Sequence, residues 1–152
     1  MKYWLMKSEP QVFGIDDLIS RPHQTEPWDG VRNYQARNFM RDDMVVGDRA
    51  FFYHSSCPSP GITGLVEISK NAYPDKTQFD TSSKYFDPKS TISKPRWFNV
   101  EVKFLKKIPL ISLDKIRGNS KLSTLQILRR GNRLSITPIT KEEWSEILKM
   151  CQ

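Results

Sequence analysis

The densest group of residues able to do chemistry is the decapeptide Trp28-Asp-Gly-Val-Arg-Asn-Tyr-Gln-Ala-Arg37. It brings an indole, a phenol, two guanidinium groups and two carboxamides into one short stretch. Asp29-Gly30 is a turn signal. Asn33 is of the type that caps helices, its side-chain oxygen accepting a free N–H of the first turn. Beyond it, Ala36, Phe39, Met40 and Met44 recur at helical spacing and define one apolar face, while Gln35, Arg37, Asn38 and Arg41 fall on the others. The pattern predicts a flat aromatic group at the mouth of a short helix whose N-terminus carries partial positive charge, with Arg32 just before it. A planar, partly anionic ligand such as a nucleotide suits that chemistry. Trp28 has a second reading as a core plug, and Asn33 as nothing more than a cap.

Other reactive residue types are few. His54 and Ser55 are neighbours, but successive strand residues point to opposite faces, which opposes a hydrogen-bonded catalytic pair. His54 with Cys57 needs a loop that folds back, and no third group orients the imidazole. A small-ligand hydrolase is therefore the weakest reading. Tyr53, His54 and Ser55 at a strand end read either as polar groups that fix a ligand's edge or as a satisfied hydrogen-bond cluster. Lys7 and Ser8 close another strand in the same manner, as ligand contacts or as a solvated strand end. The histidines and cysteines, at 23, 54, 57 and 151, lack metal-ligand spacing, so no metal site is expected. Neither a glycine-rich phosphate loop nor a nucleophile elbow is present, and no cofactor is expected.

The elements that must position these groups are short. Tyr3-Trp-Leu-Met6 reads as a strand stopped by Pro10, and residues 15–20 as a helix. Residues 49–53 read as a central strand apolar on both faces, and 62–69 as a third strand. Residues 70–96 form the longest irregular stretch; Tyr73, Phe79, Tyr85 and Phe86 within it argue for a lid or binding loop over disorder. Phe98, Val100, Val102 and Phe104 alternate with Asn99, Glu101 and Lys103, a strand with one face to the core. Trp97 shares the parity of Asn99 and points away from that face, so it either covers a second surface, lines a pocket or meets a partner. Residues 112–116 and 122–128 read as short helices, 134–136 as a last strand. Thr140-Lys-Glu-Glu143 is a capping box ahead of an amphipathic helix with Trp144, Ile147, Leu148 and Cys151 on one face.

At 152 residues, 38% hydrophobic and 27% charged, the chain reads as one globular domain over residues 1–152. No apolar run approaches the roughly 18 residues of a membrane span, so no membrane role is expected. Met1-Lys-Tyr-Trp-Leu-Met-Lys-Ser-Glu9 has neither an apolar core nor a cleavage site. Two cysteines make no disulfide framework, and a cytoplasmic setting fits. The net charge of +7 is unevenly placed: residues 1–88 hold 10 Lys/Arg against 12 Asp/Glu, residues 89–152 hold 14 against 5. That asymmetry points to a nucleic-acid partner, although a basic half can also be a solvated surface. The oligomeric state is not legible. The order of elements gives an α+β fold, a small curved sheet or barrel flanked by helices.

The chain also resembles the EVE-domain proteins of the PUA-like superfamily, a group related to the thymocyte nuclear protein family. The resemblance runs over nearly the whole chain. It rests on Tyr3-Trp-Leu-Met-Lys-Ser-Glu-Pro10, the Trp28–Arg37 stretch, Phe52-Tyr-His-Ser55, Tyr73-Pro-Asp75, Pro95-Arg-Trp97 and Arg133-Leu-Ser-Ile-Thr-Pro138; residues 105–130 carry no strong motif. It implies a PUA-like curved, mostly antiparallel β-barrel with flanking helices, and a pocket related to the aromatic cage of YTH domains. It implies a non-catalytic reader of a modified base such as methylated or hydroxymethylated cytosine in DNA. On that resemblance Trp28 is a cage wall, Asn33 lies near the base edge, Lys7, Ser8, Tyr53, His54 and Ser55 form the polar side, and Trp97 supplies a second wall. Arg32, Arg37, Arg129, Arg130 and Arg133 are the candidates for the nucleic-acid backbone. A PUA-like accessory factor that reads RNA shape is the alternative.

Overall fold

A computed structural model describes residues 1–151; Gln152 lies outside the described residues. The chain runs β1 (Tyr3–Ser8), α1 (Pro10–Phe13), α2 (Ile15–Ser20), β2 (Thr25–Pro27) and α3 (Tyr34–Asn38), which a π-helical turn continues over Phe39–Asp43. Next come β3 (Arg49–His54), β4 (Gly61–Pro74), β5 (Phe98–Ser112), α4 (Leu113–Arg117), β6 (Ile136–Ile139) and α5 (Lys141–Met150). The strands form one six-stranded sheet in the order β2-β5-β4-β3-β1-β6. Four neighbouring pairs are antiparallel and one, β1 with β3, is parallel. The parallel pair follows from the crossover through α1, α2, β2 and α3 that separates its strands.

The expected barrel is not formed. β2 and β6 end the sheet without pairing to each other, and at three and four residues they are too short to close it. The architecture is α+β, an open mixed sheet with both faces covered. Strand alternation explains how. In β1, Trp4 and Met6 face one side and Leu5 the other; in β3, Ala50 and Phe52 oppose Phe51 and Tyr53. The first face packs against α2, Trp28, α3 and the π-helical turn through Leu18, Ala36 and Met40. The second packs against α4 and α5, where Trp144 stacks on Phe51 and Tyr3 at 4.1 and 4.6 Å. Trp144 is thus structural, behind the Thr140–Glu143 capping box, which forms in both directions.

Several boundaries differ from the sequence reading. β4 and β5 pair far beyond the expected limits, to Pro74 and Ser112, because long antiparallel arms satisfy each other's backbone where side-chain alternation gives no signal. In place of a helix over 122–128, short 3-10 turns lie at Ser120–Leu122 and Gln126–Leu128, and the last strand lies at 136–139 rather than 134–136. Asn33 caps α3 as expected, its Oδ1 accepting the Ala36 N–H at 2.9 Å. No described helix is long and apolar enough to cross a membrane.

Candidate nucleic-acid interface

The strand β2 and the turn after it deliver Trp28 to the edge of the first core. Its backbone N–H donates to Val100 at 2.8 Å, extending the β2–β5 pairing by one residue. Its indole meets the edge of Phe52 with centroids 5.5 Å apart and planes at 85°. Trp28 is only 7% exposed, so it is a core residue. It is also a wall of a cavity of about 800 Å³, a size within the range of small-molecule sites. The core-plug reading is met, and the same side chain faces the cavity.

The strand end of β1, the turns around α1, the Trp28–Asn33 segment, the loop after β3, Lys84-Tyr85 and the segment Arg133–Ser135 together line this cavity. Of the eight residues expected to form a base pocket, Trp28, Asn33, Lys7, Ser8 and Ser55 line it. Asn33 uses only Oδ1 for its cap, and its Nδ2 has no hydrogen-bond partner among the described residues. Ser8 donates its hydroxyl to the Phe13 carbonyl at 2.6 Å, and its own carbonyl accepts the Ser55 N–H at 3.0 Å. Lys7 is half-buried, with its ammonium 5.9 Å from the Tyr53 ring centre. Burial pushes its pKa down, and among the described residues it has no ion-pair partner.

Tyr53, His54 and Trp97 lie outside the cavity lining. Tyr53 is buried on the other sheet face, because Phe52 occupies the side that Trp28 covers. His54 accepts the Ile15 N–H on Nε2 at 3.1 Å and meets Phe52 edge-on. Burial lowers its pKa, which suits a neutral acceptor. That bond spends the lone pair a general base would need, and no hydrogen bond joins His54 to Ser55 or Cys57 among the described residues. Trp97 is 5% exposed. Its Nε1 donates to Asp87 at 2.8 Å and its ring stacks on Tyr34, so it joins α3 to the 75–97 loop rather than walling the cavity.

The five arginines divide in the same way. Arg32 lines the cavity but is consumed by the protein. Its guanidinium donates to the carbonyls of Tyr85 and Val31, to the Thr77 hydroxyl at 3.0 Å and to the Asp75 carboxylate at 3.1 Å. Arg37 is likewise bound to the Arg96 carbonyl and the Asn38 side chain. Arg133 lines the cavity and is exposed; Arg129 and Arg130 are exposed away from it.

Asp75 organises this corner. Fully buried, it accepts the N–H groups of Gly30 and Thr77, each at 2.8 Å, besides Arg32. Burial alone would raise its pKa, but the Thr77 hydroxyl, the Gly30 N–H and Arg32 outweigh that and hold it low. Gly30 has φ +81°, and a Cβ there would stand 2.7 Å from the Tyr85 ring. Asp29, next to it, points the other way electrostatically. Partial withdrawal from water, then the charges of Asp75 and Glu26, push its carboxyl up to about 6.

Sequence reasoning missed Phe13, Asp29, Lys84 and Tyr85 as cavity residues. Only the aromatic content of the 70–96 stretch signalled Tyr85. Lys7, Lys84 and Arg133 give the rim cations without an ion-pair partner among the described residues, whereas Arg21 is engaged with Glu26 at 3.4 Å. Aromatic walls, a free carboxamide and unpaired cations around one opening suit a planar anionic ligand. No group of three or more His, Cys, Asp or Glu among the described residues is placed to hold a metal.

An open mixed sheet with a cavity beside its parallel strand pair defines a small α+β domain. The EVE domain family profile matches residues 2–150, and the chain belongs to that family. It is 46% identical over 166 residues to thymocyte nuclear protein 1 of Danio rerio, covering 97% of this chain and 71% of that protein. Among solved structures, a protein from Pseudomonas syringae superposes with a TM-score of 0.93 at 46% identity, over 99% of both chains. Human THYN1 protein in complex with 5-methylcytosine containing DNA superposes with a TM-score of 0.95 at 42% identity, over 100% of this chain and 98% of that one.

Proposed function

We propose that this chain is a single-domain, non-catalytic reader that binds nucleic acid and takes a modified base, methylated or hydroxymethylated cytosine, into the Trp28 cavity. The observation that carries the reading is the union in one opening of the Trp28 wall, the uncommitted Asn33 amide and the unpaired cations Lys7, Lys84 and Arg133. The 5-methylcytosine DNA bound by the human relative supports it. Lys7, Ser8 and Ser55 complete the polar side; Arg133, with Arg129 and Arg130 farther out, meets phosphates. Arg32, spent on Asp75, Thr77 and the Tyr85 carbonyl, shapes the site instead of contacting the ligand. The cytoplasm is the proposed setting, while the vertebrate relatives carry a nuclear designation in their name.

The energetics are adequate. Taking a base out of its stack costs a few kcal/mol. Stacking on an aromatic wall returns about 1–3 kcal/mol, and a methyl group filling a dry corner adds roughly 1 kcal/mol. Phosphate contacts at the rim add affinity without reading sequence.

The test is a fluorescence titration of the four-tryptophan protein with short single-stranded DNA and RNA carrying cytosine, 5-methylcytosine, 5-hydroxymethylcytosine or N6-methyladenine, at two salt concentrations. Because Trp28 is a core residue, Trp28→Phe is the variant of choice; it keeps an aromatic plug and shrinks the wall. Modification-dependent affinity that Trp28→Phe weakens supports the reader. Equal affinity for every base, falling only with salt, rejects it. A preference for RNA over matching DNA irrespective of modification would instead identify a reader of RNA through the 2′-hydroxyl.

A further inference from the structure

Tyr34 follows Asn33 directly and is half exposed, at 50%. Its ring stacks on Trp97 with centroids 4.7 Å apart and planes within 19°. Trp97 is a rigid support. Its Nε1 is held by Asp87, its backbone N–H donates to Gln78 Oε1 at 3.0 Å, and its carbonyl accepts Gln78 Nε2 at 2.8 Å.

The Arg37 guanidinium lies 4.6 Å from the Tyr34 centroid and 5.9 Å from the Trp97 centroid. A guanidinium capping the far face of Tyr34 would stand from Trp97 at nearly the sum of the two shorter distances. At 5.9 Å it is out of line with the stack, held by the Arg96 carbonyl at 2.7 Å. Half of the Tyr34 surface stays open to solvent. A rigid, two-ring stack ends on a half-exposed tyrosine one residue from a cavity-lining amide, with a cation 4.6 Å from its centre.

We propose that Tyr34 is a second stacking platform, which takes the nucleobase adjacent in the strand to the one held in the Trp28 cavity. This rests on the reading of the cavity as a base pocket. The platform contacts a π-face and offers no edge reader, so it tolerates any base, as stacking surfaces in single-strand binders do. The Arg37 charge, 4.6 Å from the ring centre, favours the phosphate that joins the two nucleotides. The domain then reads one base and grips its neighbour, so its unit of recognition is a dinucleotide step.

The test compares 5-methyl-deoxycytidine monophosphate with a single-stranded DNA trinucleotide that has 5-methylcytosine at its centre, and with the same trinucleotide made abasic at the first or the third position. The expected result is that Tyr34→Ala lowers trinucleotide affinity on the order of tenfold and leaves mononucleotide affinity unchanged, while Tyr34→Phe matches wild type. In the wild-type protein, one of the two abasic trinucleotides shows the same loss, with no mutation involved. The proposal is overturned if neither abasic substitution weakens binding, or if Tyr34→Ala weakens the mononucleotide as much as the trinucleotide. If wild type binds the modified and unmodified mononucleotides equally and Trp28→Phe changes neither, the base-pocket reading itself fails, a result separate from any Tyr34 effect.

Discussion

The buried carboxylate of Asp75 accepts the Gly30 N–H at 2.8 Å across 45 positions of sequence. That bond ties the loop after β4 to the backbone two residues past Trp28. The same carboxylate holds Arg32, whose guanidinium lies between the Tyr85 and Trp97 rings at 5.6 and 5.2 Å. Wall, turn and loop are one unit, pinned by a fully buried charge that does not line the cavity.

Asp75→Asn tests that unit. The amide keeps the side chain's size but removes the charge that opposes Arg32 and presents N–H groups to donors. A buried, charge-assisted network of this kind contributes on the order of 2 kcal/mol. The midpoint of urea unfolding should fall accordingly, and base preference should fade although no cavity-lining residue is altered. An unchanged midpoint would remove Asp75 from this role.

Asn33 has an observed cap and a proposed ligand contact, which substitution can separate. Asn33→Asp keeps an oxygen for the Ala36 N–H, so stability should hold, but it replaces the free Nδ2 donors with a carboxylate and should abolish binding. Asn33→Ala loses the cap as well, at about 1 kcal/mol. Thermal melts and titrations of the two variants give the separation; full binding by Asn33→Asp would make the residue only a cap.

Asp29 makes binding depend on pH. Its carboxyl titrates near 6, and it faces a rim that holds Lys7, Arg21, Arg32, Lys84 and Arg133 with Glu9 and Glu26. Above pH 6 its negative charge repels phosphate; protonation removes that repulsion. Affinity for a short oligonucleotide should rise as pH falls from 7 to 5.5, and Asp29→Asn should bind tightly across the range. A wild-type affinity that falls with acidification would make Asp29 an acceptor for a ligand N–H.

His54 sets a pH limit on the fold. Burial lowers its pKa below the ordinary 6.5, and its Nε2 must stay unprotonated to accept the Ile15 N–H. Between the folded and unfolded values the unfolded chain binds more protons, so stability rises with pH. The contribution is complete above about pH 6.5 and is lost as pH falls toward the folded value. Chemical denaturation at pH 7.5 and 5.5 should show a drop that His54→Gln reduces. An equal drop in that variant would assign the effect to other groups.

The sequence by itself determined what depends on near neighbours. β1 and β3 appear as apolar runs. The Asn33 cap and the Thr140–Glu143 box depend on contacts three residues apart, and α5 on a 3.6-residue period. The family was legible as well, since its motifs are contiguous. The tertiary structure decided what depends on distant partners. A strand apolar on both faces does not say which of Phe52 and Tyr53 will face Trp28; helices packed against each side do. Whether the sheet closes depends on its two outermost strands, β2 and β6, which are far apart in the chain. The charge of Arg32 is visible in the sequence, but its engagement by Asp75 is not. Trp97 had the parity of a residue facing away from the core, and only the folded 75–97 loop turned that position into a buried support for Tyr34. Local physics fixes elements and their caps, whereas a cavity is made by segments whose proximity no short-range pattern encodes.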